Sequence, residues 1–343
     1  MDMKTVLKKL CLSTGVNGID EASKTAEQYL SQFTDDIHRD LLGNVWGIIA
    51  SDTADAPTLL LEAHIDEIGF TVSRVDEQGF LHLSACGGVD NRTLSAAPVT
   101  VLTNPPVNGI FCTLPPHLSS KEDSPLQELP ERGVDVGMTK EEADIRIPVG
   151  TRAVFLPHFE ELLNGRICAK ALDNRAGVTA ILQALEFVKG KALPFRLAVA
   201  FCVQEELGMR GSKTAAFAIN PDAALAVDVS FAHTPDADKR ECGILGDGVM
   251  LGMSPTLSGG ITEELRRLAE KNSIPVQFEV MGGTTGTDAD NIGTVREGIP
   301  TGLLSVPLRY MHTPVEVVSL QDIDATAKLI AAFIMEGTVL KND

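Results

Sequence analysis

Apolar and polar positions follow three textures along the chain, and each predicts a different kind of element. Over the first 45 residues, Leu7, Leu10 and Leu12, then Ala22, Ala26, Tyr29 and Leu30, recur at helical spacing around a Gly-Val-Asn-Gly break at 15–18. That segment is expected to be helical. After Gly43-Asn44, residues 45–50 and 58–63 read as strands. The second is almost wholly apolar, as a strand covered on both faces must be.

From about residue 70 to 163 the pattern shortens into alternating runs at 70–72, 80–83, 99–102 and 109–112, separated by Gly, Pro, Asn and Asp clusters. Short strands at such spacing predict a small β-barrel. Residues 115–132, polar and Pro-containing, are expected to form an exposed loop. From Leu172 helical and strand patterns alternate: helices over 175–189, 212–218, 262–271, from about 288, and over 323–336, with strands over 195–203, 223–229, 276–281 and 302–306. This succession predicts an α/β fold, a mostly parallel sheet with helices on both faces. The simplest organisation joins 1–68 and 165–343 in one discontinuous α/β domain and inserts a small barrel domain at 69–164.

Composition narrows the class. The 343 residues carry 29 Lys+Arg against 47 Asp+Glu, a net charge of −18. Nucleic acid and anionic membrane surfaces need clustered cations that this balance does not supply, so neither is an expected partner. No apolar run approaches the roughly 20 residues of a spanning helix, and Met1-Asp2-Met3-Lys4 does not begin a signal peptide, so a cytoplasmic protein is expected. The six cysteines are scattered without a Cys-x-x-Cys pair and read as free thiols in a reducing compartment.

Five segments place a His or a carboxylate where a buried strand runs out, which is where open α/β sheets bind ligands. They are Glu62-Ala63-His64-Ile65-Asp66-Glu67, Lys170-Ala171-Leu172-Asp173-Asn174-Arg175, Val203-Gln204-Glu205-Glu206-Leu207-Gly208, Ala226-Val227-Asp228-Val229 and Arg309-Tyr310-Met311-His312-Thr313-Pro314. Each alone has an ordinary reading: a surface His-x-Asp pair, a helix N-cap at Asp173, solvated acids, a hydrogen-bonded His. Together they offer two His and several carboxylates, a nitrogen and oxygen donor set suited to Zn, Co or Mn. His64 and Asp66 share a face at strand spacing, so Asp66 could orient the imidazole. Glu205 and Glu206 point in different directions, so one can hold a metal while the other faces a reacting water.

These blocks, in this order and over nearly the whole chain, resemble those of the glutamyl aminopeptidase-like dinuclear metallopeptidases. That family includes the tetrahedral aminopeptidases and relatives labelled cellulase or endoglucanase. Gly87-Gly88 and Pro115-Pro116-His117 in the insertion are similar as well. The resemblance implies a zinc-peptidase-like α/β body with a PDZ-like barrel insertion and two divalent metal ions per subunit, zinc or cobalt, with manganese a third candidate. His64 and Asp228 would hold one metal, Glu206 and His312 the other, and Asp173 would bridge them. Glu205 would be the general base and Asp66 the residue orienting His64.

The implied reaction removes the N-terminal residue from peptides with a free N-terminus, by a bridging water activated between two divalent metals. The resemblance also implies a homo-oligomer, from dimers up to a tetrahedral dodecamer, contacting through the barrel. Two segments depart from the family's pattern: Ser13-Thr14-Gly15-Val16-Asn17-Gly18, and the Thr-rich stretch around Gly282–Ala289, where Asp288 is a candidate substrate-binding residue. Two other functions compete. A glycosidase needs carboxyls facing each other about 5–10 Å apart, which adjacent, diverging Glu205 and Glu206 do not provide. A silent scaffold would have lost a ligand or the base, yet all the positions are filled.

Overall fold

Two amphipathic helices begin the chain in the computed structural model, which describes residues 1–17, 21–115, 117–118 and 129–338. Gly18 of the departing N-terminal segment, and residues 116 and 119–128 of the expected loop, therefore lie outside the described residues. Helix α1 (Met3–Leu12) starts where the Asp2 carboxylate accepts from the Thr5 amide, and it buries Val6, Leu7, Leu10 and Cys11. Helix α2 (Glu21–Leu30) buries Ala22, Ala26 and Leu30.

The helical expectation ends there. Ile37–Arg39 is a strand, β1, paired antiparallel with β2 (Val45–Ile49). Polar short-range chemistry overrides the helical period: one Asp40 oxygen accepts from the amides of Leu42, Gly43 and Asn44, and Gly43 takes φ +105 to close the hairpin. Strand β3 (Thr58–His64) follows, buried at every position.

The chain then leaves for a closed barrel of β4 (Gly69–Val75), β5 (Leu81–Cys86), β6 (Pro98–Val101), β7 (Val107–Phe111), β8 (Gly133–Asp135) and β9 (Arg152–Phe155), in the order β4-β5-β8-β7-β6-β9. Helix α3 (Lys140–Arg146), opened by a Thr139/Glu142 capping box, crosses one side. Phe70 packs edge-on against Phe111 and Phe155, with ring centroids 5.2 and 5.1 Å away, at the centre of the barrel core.

The chain returns to the body with β10 (Phe159–Leu162), ahead of the expected residue 165, then β11 (Arg166–Ala169), α4 (Leu172–Val188), β12 (Arg196–Cys202), α5 (Arg210–Ile219) and β13 (Ala223–Phe231). It continues through β14 (Val249–Met253), α6 (Gly259–Asn272), β15 (Val276–Val280), α7 (Asp288–Ile292), β16 (Thr301–Arg309), β17 (Glu316–Ser319) and α8 (Leu320–Glu336).

The large sheet has the order β1-β2-β12-β3-β13-β16-β17-β11-β10, with β14 beside β16 and β15 beside β14. Its centre, β12-β3-β13-β16, is parallel, as the alternating pattern predicts. Antiparallel strands extend it on both sides; β10, β11 and β17 were not in the pattern because four residues of mixed polarity carry no readable period, and β14, though apolar, is only five residues long. Helices cover both faces. Leu59, Leu61, Leu225 and Val227 point toward α1, α4 and α8, whereas Leu60, Ala198, Ala200 and Ala226 point toward α5 and α7. Among the described residues no helix is long and apolar enough to cross a membrane.

Candidate metal centre

Four adjacent parallel strands bring most of the candidate residues to one edge of the sheet, as the rule for open α/β sheets requires. His64 ends β3 in register with Cys202 of β12. Two residues past Cys202 the chain turns at Gln204, φ +63, and presents Glu205 and Glu206. Asp228 lies on β13 opposite Ser305 of β16. Beyond β16, Tyr310 and His312 adopt φ +61 and +62, folding His312 back over the strand ends.

Asp173 enters from the start of α4, where its own dihedrals and those of Asn174 are not helical. Asn174 takes the capping duty that the sequence offered to Asp173. Its Oδ1 accepts from the Gly177 amide at 3.1 Å, and its Nδ2 donates to the Val227 carbonyl at 2.8 Å. The Asp173 carboxylate is thereby left free for the site. Its Oδ1 lies 3.0 Å from His64 Nε2 and its Oδ2 3.4 Å from His312 Nε2.

Around this carboxylate the donors fall into two groups. His64, Asp173 and Asp228 form one; Asp173, Glu206 and His312 form the other, each with donor atoms within 4.8 Å of one another. His64 Nε2 is 3.7 Å from Asp228 Oδ1 and 4.0 Å from Glu205 Oε2, and His312 Nε2 is 3.4 Å from Glu206 Oε2. Asp66 does two things: its Oδ1 lies 3.5 Å from His64 Nδ1, and its oxygens accept from the amides of Glu205 and Glu206 at 3.1 and 3.2 Å. One buried carboxylate thus holds the segment that carries both glutamates.

The electrostatics are those of a crowded acid pocket. Burial, reinforced by Asp228, Asp288 and Glu206, pushes the Glu205 carboxyl up to about 9 despite nearby His64. Burial raises Glu206 and Asp228 as well. Hydrogen bonds with Asp173 and Glu206 hold the His312 imidazole up at about 11. Burial works against His64, but Asp173, Asp228 and Asp66 together raise it well above its ordinary value. Asp173 is buried too, yet its bonds to His312 and His64 keep it below the usual carboxylate range. Among the described residues no Lys or Arg lines this cavity of about 550 Å³. Buried acids that meet only two imidazoles are the donor set that fits divalent cations.

Three features were missed by sequence reasoning or placed differently. Glu316, on β17, is buried and accepts from the Asp173 amide at 3.1 Å and the His312 amide at 2.9 Å, tying two donor segments together. Its signal was an acid inside the β-branched run Val315-Glu316-Val317-Val318. The barrel closes on the site through Gly88, where a Cβ would lie 2.6 Å from His312 Nδ1. Asp288, the candidate for substrate contact, does not line the cavity. It is 2% exposed, accepts from Ser212 Oγ at 2.5 Å, and faces the equally buried Glu62 behind the site. It opens α7, and that helix packs under the sheet, so its neighbours Thr285, Gly286 and Thr287 reach the cavity while Asp288 points into the protein.

Known proteins carry the same plan. The sequence matches the M42 glutamyl aminopeptidase family over residues 43–329. It is 33% identical over 338 residues to a lysyl aminopeptidase of Pyrococcus furiosus, with 96% of each chain covered. Among solved structures, an aminopeptidase of Desulfurococcus kamchatkensis superposes with a TM-score of 0.92 at 34% identity, covering 99% of this chain and 98% of the other. The TET1 peptidase of Pyrococcus horikoshii, which can assemble into a tetrahedron or a large octahedral shell, superposes with a TM-score of 0.86 at 30% identity, covering 98% of this chain and all of the other (100%).

Proposed function

The chain belongs to the M42 glutamyl aminopeptidase family, a family of metallopeptidases, and we propose that it removes N-terminal residues from peptides with two divalent metal ions and Glu205 as general base. The observation that carries this reading is the pair of donor groups sharing Asp173, with Glu205 beside them. His64 and Asp228 would hold one ion, Glu206 and His312 the second, and Asp173 would span both. Bound there, zinc, cobalt or manganese would polarise the scissile carbonyl and acidify the attacking water.

The chain's own groups do the rest. Glu205, as the carboxylate beside the two donor groups, takes the proton of the attacking water and returns it to the leaving amine. Asp66 keeps the Glu205 backbone in place and orients His64. Glu316 does the same for Asp173 and His312 through their amides. No covalent intermediate is required. The convergence of Glu205, Glu206 and both imidazoles on one cluster favours peptide hydrolysis over a glycosidase, which would leave the imidazoles without a role.

The barrel, expected over 69–164, is assigned to assembly and substrate access. Exposed Ile110, Leu114 and Ile145 give it apolar surface for contacts between copies, and dimers up to a tetrahedral dodecamer are the expected states. Six cysteines, none in a disulfide, suit the reducing cytoplasm. The test strips the protein of metal, restores zinc, cobalt or manganese, and follows aminoacyl-p-nitroanilides alongside titration calorimetry. Two ions per chain and activity restored by metal are expected. Activity that survives chelation, or a single ion per chain, would sink the dinuclear reading.

A further inference from the structure

Glu279 is a cavity carboxylate that the mechanism above does not use. It projects from β15 into the cavity that His64, Glu205 and His312 line. Hydroxyls fix both of its oxygens: Ser230 Oγ donates to Oε1, and Ser305 Oγ donates to Oε2 at 2.8 Å. The two serines come from neighbouring strands, β13 and β16, so the carboxylate is held by the rigid sheet and not by a loop. Among the described residues no Lys or Arg pairs with it or lines the cavity. Burial pushes its carboxyl above the usual range, the state of an acid that a cation would stabilise. Phe231, Met209 and Met311 line the same cavity and give it apolar walls.

An anchored anion beside apolar walls suits a side chain with a methylene stem and a cationic head. We propose that Glu279 is a specificity residue that selects peptides whose N-terminal residue is lysine or arginine, by pairing with the side-chain cation; this rests on the aminopeptidase reading. Two serine hydroxyls hold the acceptor before substrate arrives, so little ordering cost falls on binding. The other cation a peptide offers, its α-amine, is common to every substrate. Recognition of that group would affect all substrates alike, which separates the two roles.

The experiment measures kcat/KM of the metal-loaded protein for lysyl-, norleucyl-, leucyl- and glutamyl-p-nitroanilides, in wild type, Glu279→Gln and Glu279→Asp. Norleucine keeps the lysine stem without the charge, so wild type alone gives a first answer: lysyl should exceed norleucyl about 10- to 100-fold. In Glu279→Gln that ratio should collapse by a similar factor, carried mainly by KM, and Glu279→Asp should keep part of it. Equal lysyl and norleucyl turnover in wild type, a preference for glutamyl, or a uniform loss across substrates in Glu279→Gln would overturn the proposal while leaving the aminopeptidase reading intact. A wild type that cleaves none of these substrates would overturn both.

Discussion

Two buried clusters of charge are built from almost the same stretches of chain, and they are opposite in kind. Glu67 follows Asp66 directly, and Lys170 and Arg175 flank Asp173. In the first cluster Glu67 accepts from Lys170 Nζ at 2.6 Å and from the Gly15 amide at 2.9 Å, and lies 3.8 Å from Arg175 Nη2. It has cations of its own. In the second, Asp66, Asp173, Glu205, Glu206 and Asp228 converge with only two imidazoles among them. One buried acid is thus neutralised by side chains of the protein, while several others within a few residues are left short, the arrangement that charge from outside would complete.

That contrast can be broken most strongly at Glu205. Glu205→Gln is expected to lower kcat by about 10²- to 10⁴-fold, up to about 5 kcal/mol of barrier, while chemical denaturation shows stability unchanged or slightly raised. Full turnover in that variant would remove Glu205 from the chemistry. Glu67→Gln should do the reverse. It leaves Lys170 and Arg175 buried without their counter-ion, a loss of about 3–5 kcal/mol in urea unfolding, before any effect on the metal centre is counted. A loss under about 1 kcal/mol would show that the paired cluster is not what holds this corner together.

Metal sharpens the comparison at the next level. At about 100 times its Kd, an added divalent ion should stabilise the folded chain by about 2.7 kcal/mol, and Asp173→Asn should lose most of that gain because it serves both donor groups. Thermal unfolding with and without cobalt reads the difference. An equal gain in the variant would place the ions elsewhere.

The smallest effect concerns an acid with its own partners, far from the site. Glu264 accepts from Arg267 Nε at 2.7 Å and from the Thr338 amide at 2.9 Å, and the Arg267 bond holds its carboxyl down at about 2. A depressed carboxyl contributes stability above its unfolded value, and that contribution is lost as pH falls through the folded one. Glu264→Gln should therefore cost about 1 kcal/mol at pH 7, since Arg267 is half in solvent, and progressively less from about pH 5 toward pH 2. A difference from wild type that does not shrink on acidification would contradict the pairing.

Much of the site was legible from local pattern because its residues sit where apolar runs stop. His64 ends and Asp228 interrupts a mostly apolar strand, and Glu206 and His312 lie a few residues past the ends of two others; such an interruption is visible without coordinates. Glu316 and Glu279 were not singled out. Each lies on a short strand whose neighbours in space are far away in sequence, and their roles depend on amides and hydroxyls that no spacing reveals. Asp288 shows the converse error: a Thr- and Gly-rich loop signals a pocket wall, but the residue opening the following helix turns inward.

Amphipathic spacing and buried runs determined the α/β body, the parallel centre of its sheet and the barrel, because burial of apolar surface repeats with the period of the element that achieves it. The ordered blocks of His and acid determined the chemistry on offer. Only the tertiary structure decided which acids are neutralised by Lys170 and Arg175 and which are left to converge on Asp173, and that Asn174 caps α4 so that Asp173 can face both imidazoles. Charge pairing depends on distances of a few ångströms between segments more than a hundred residues apart, and a sequence pattern carries no information on that scale.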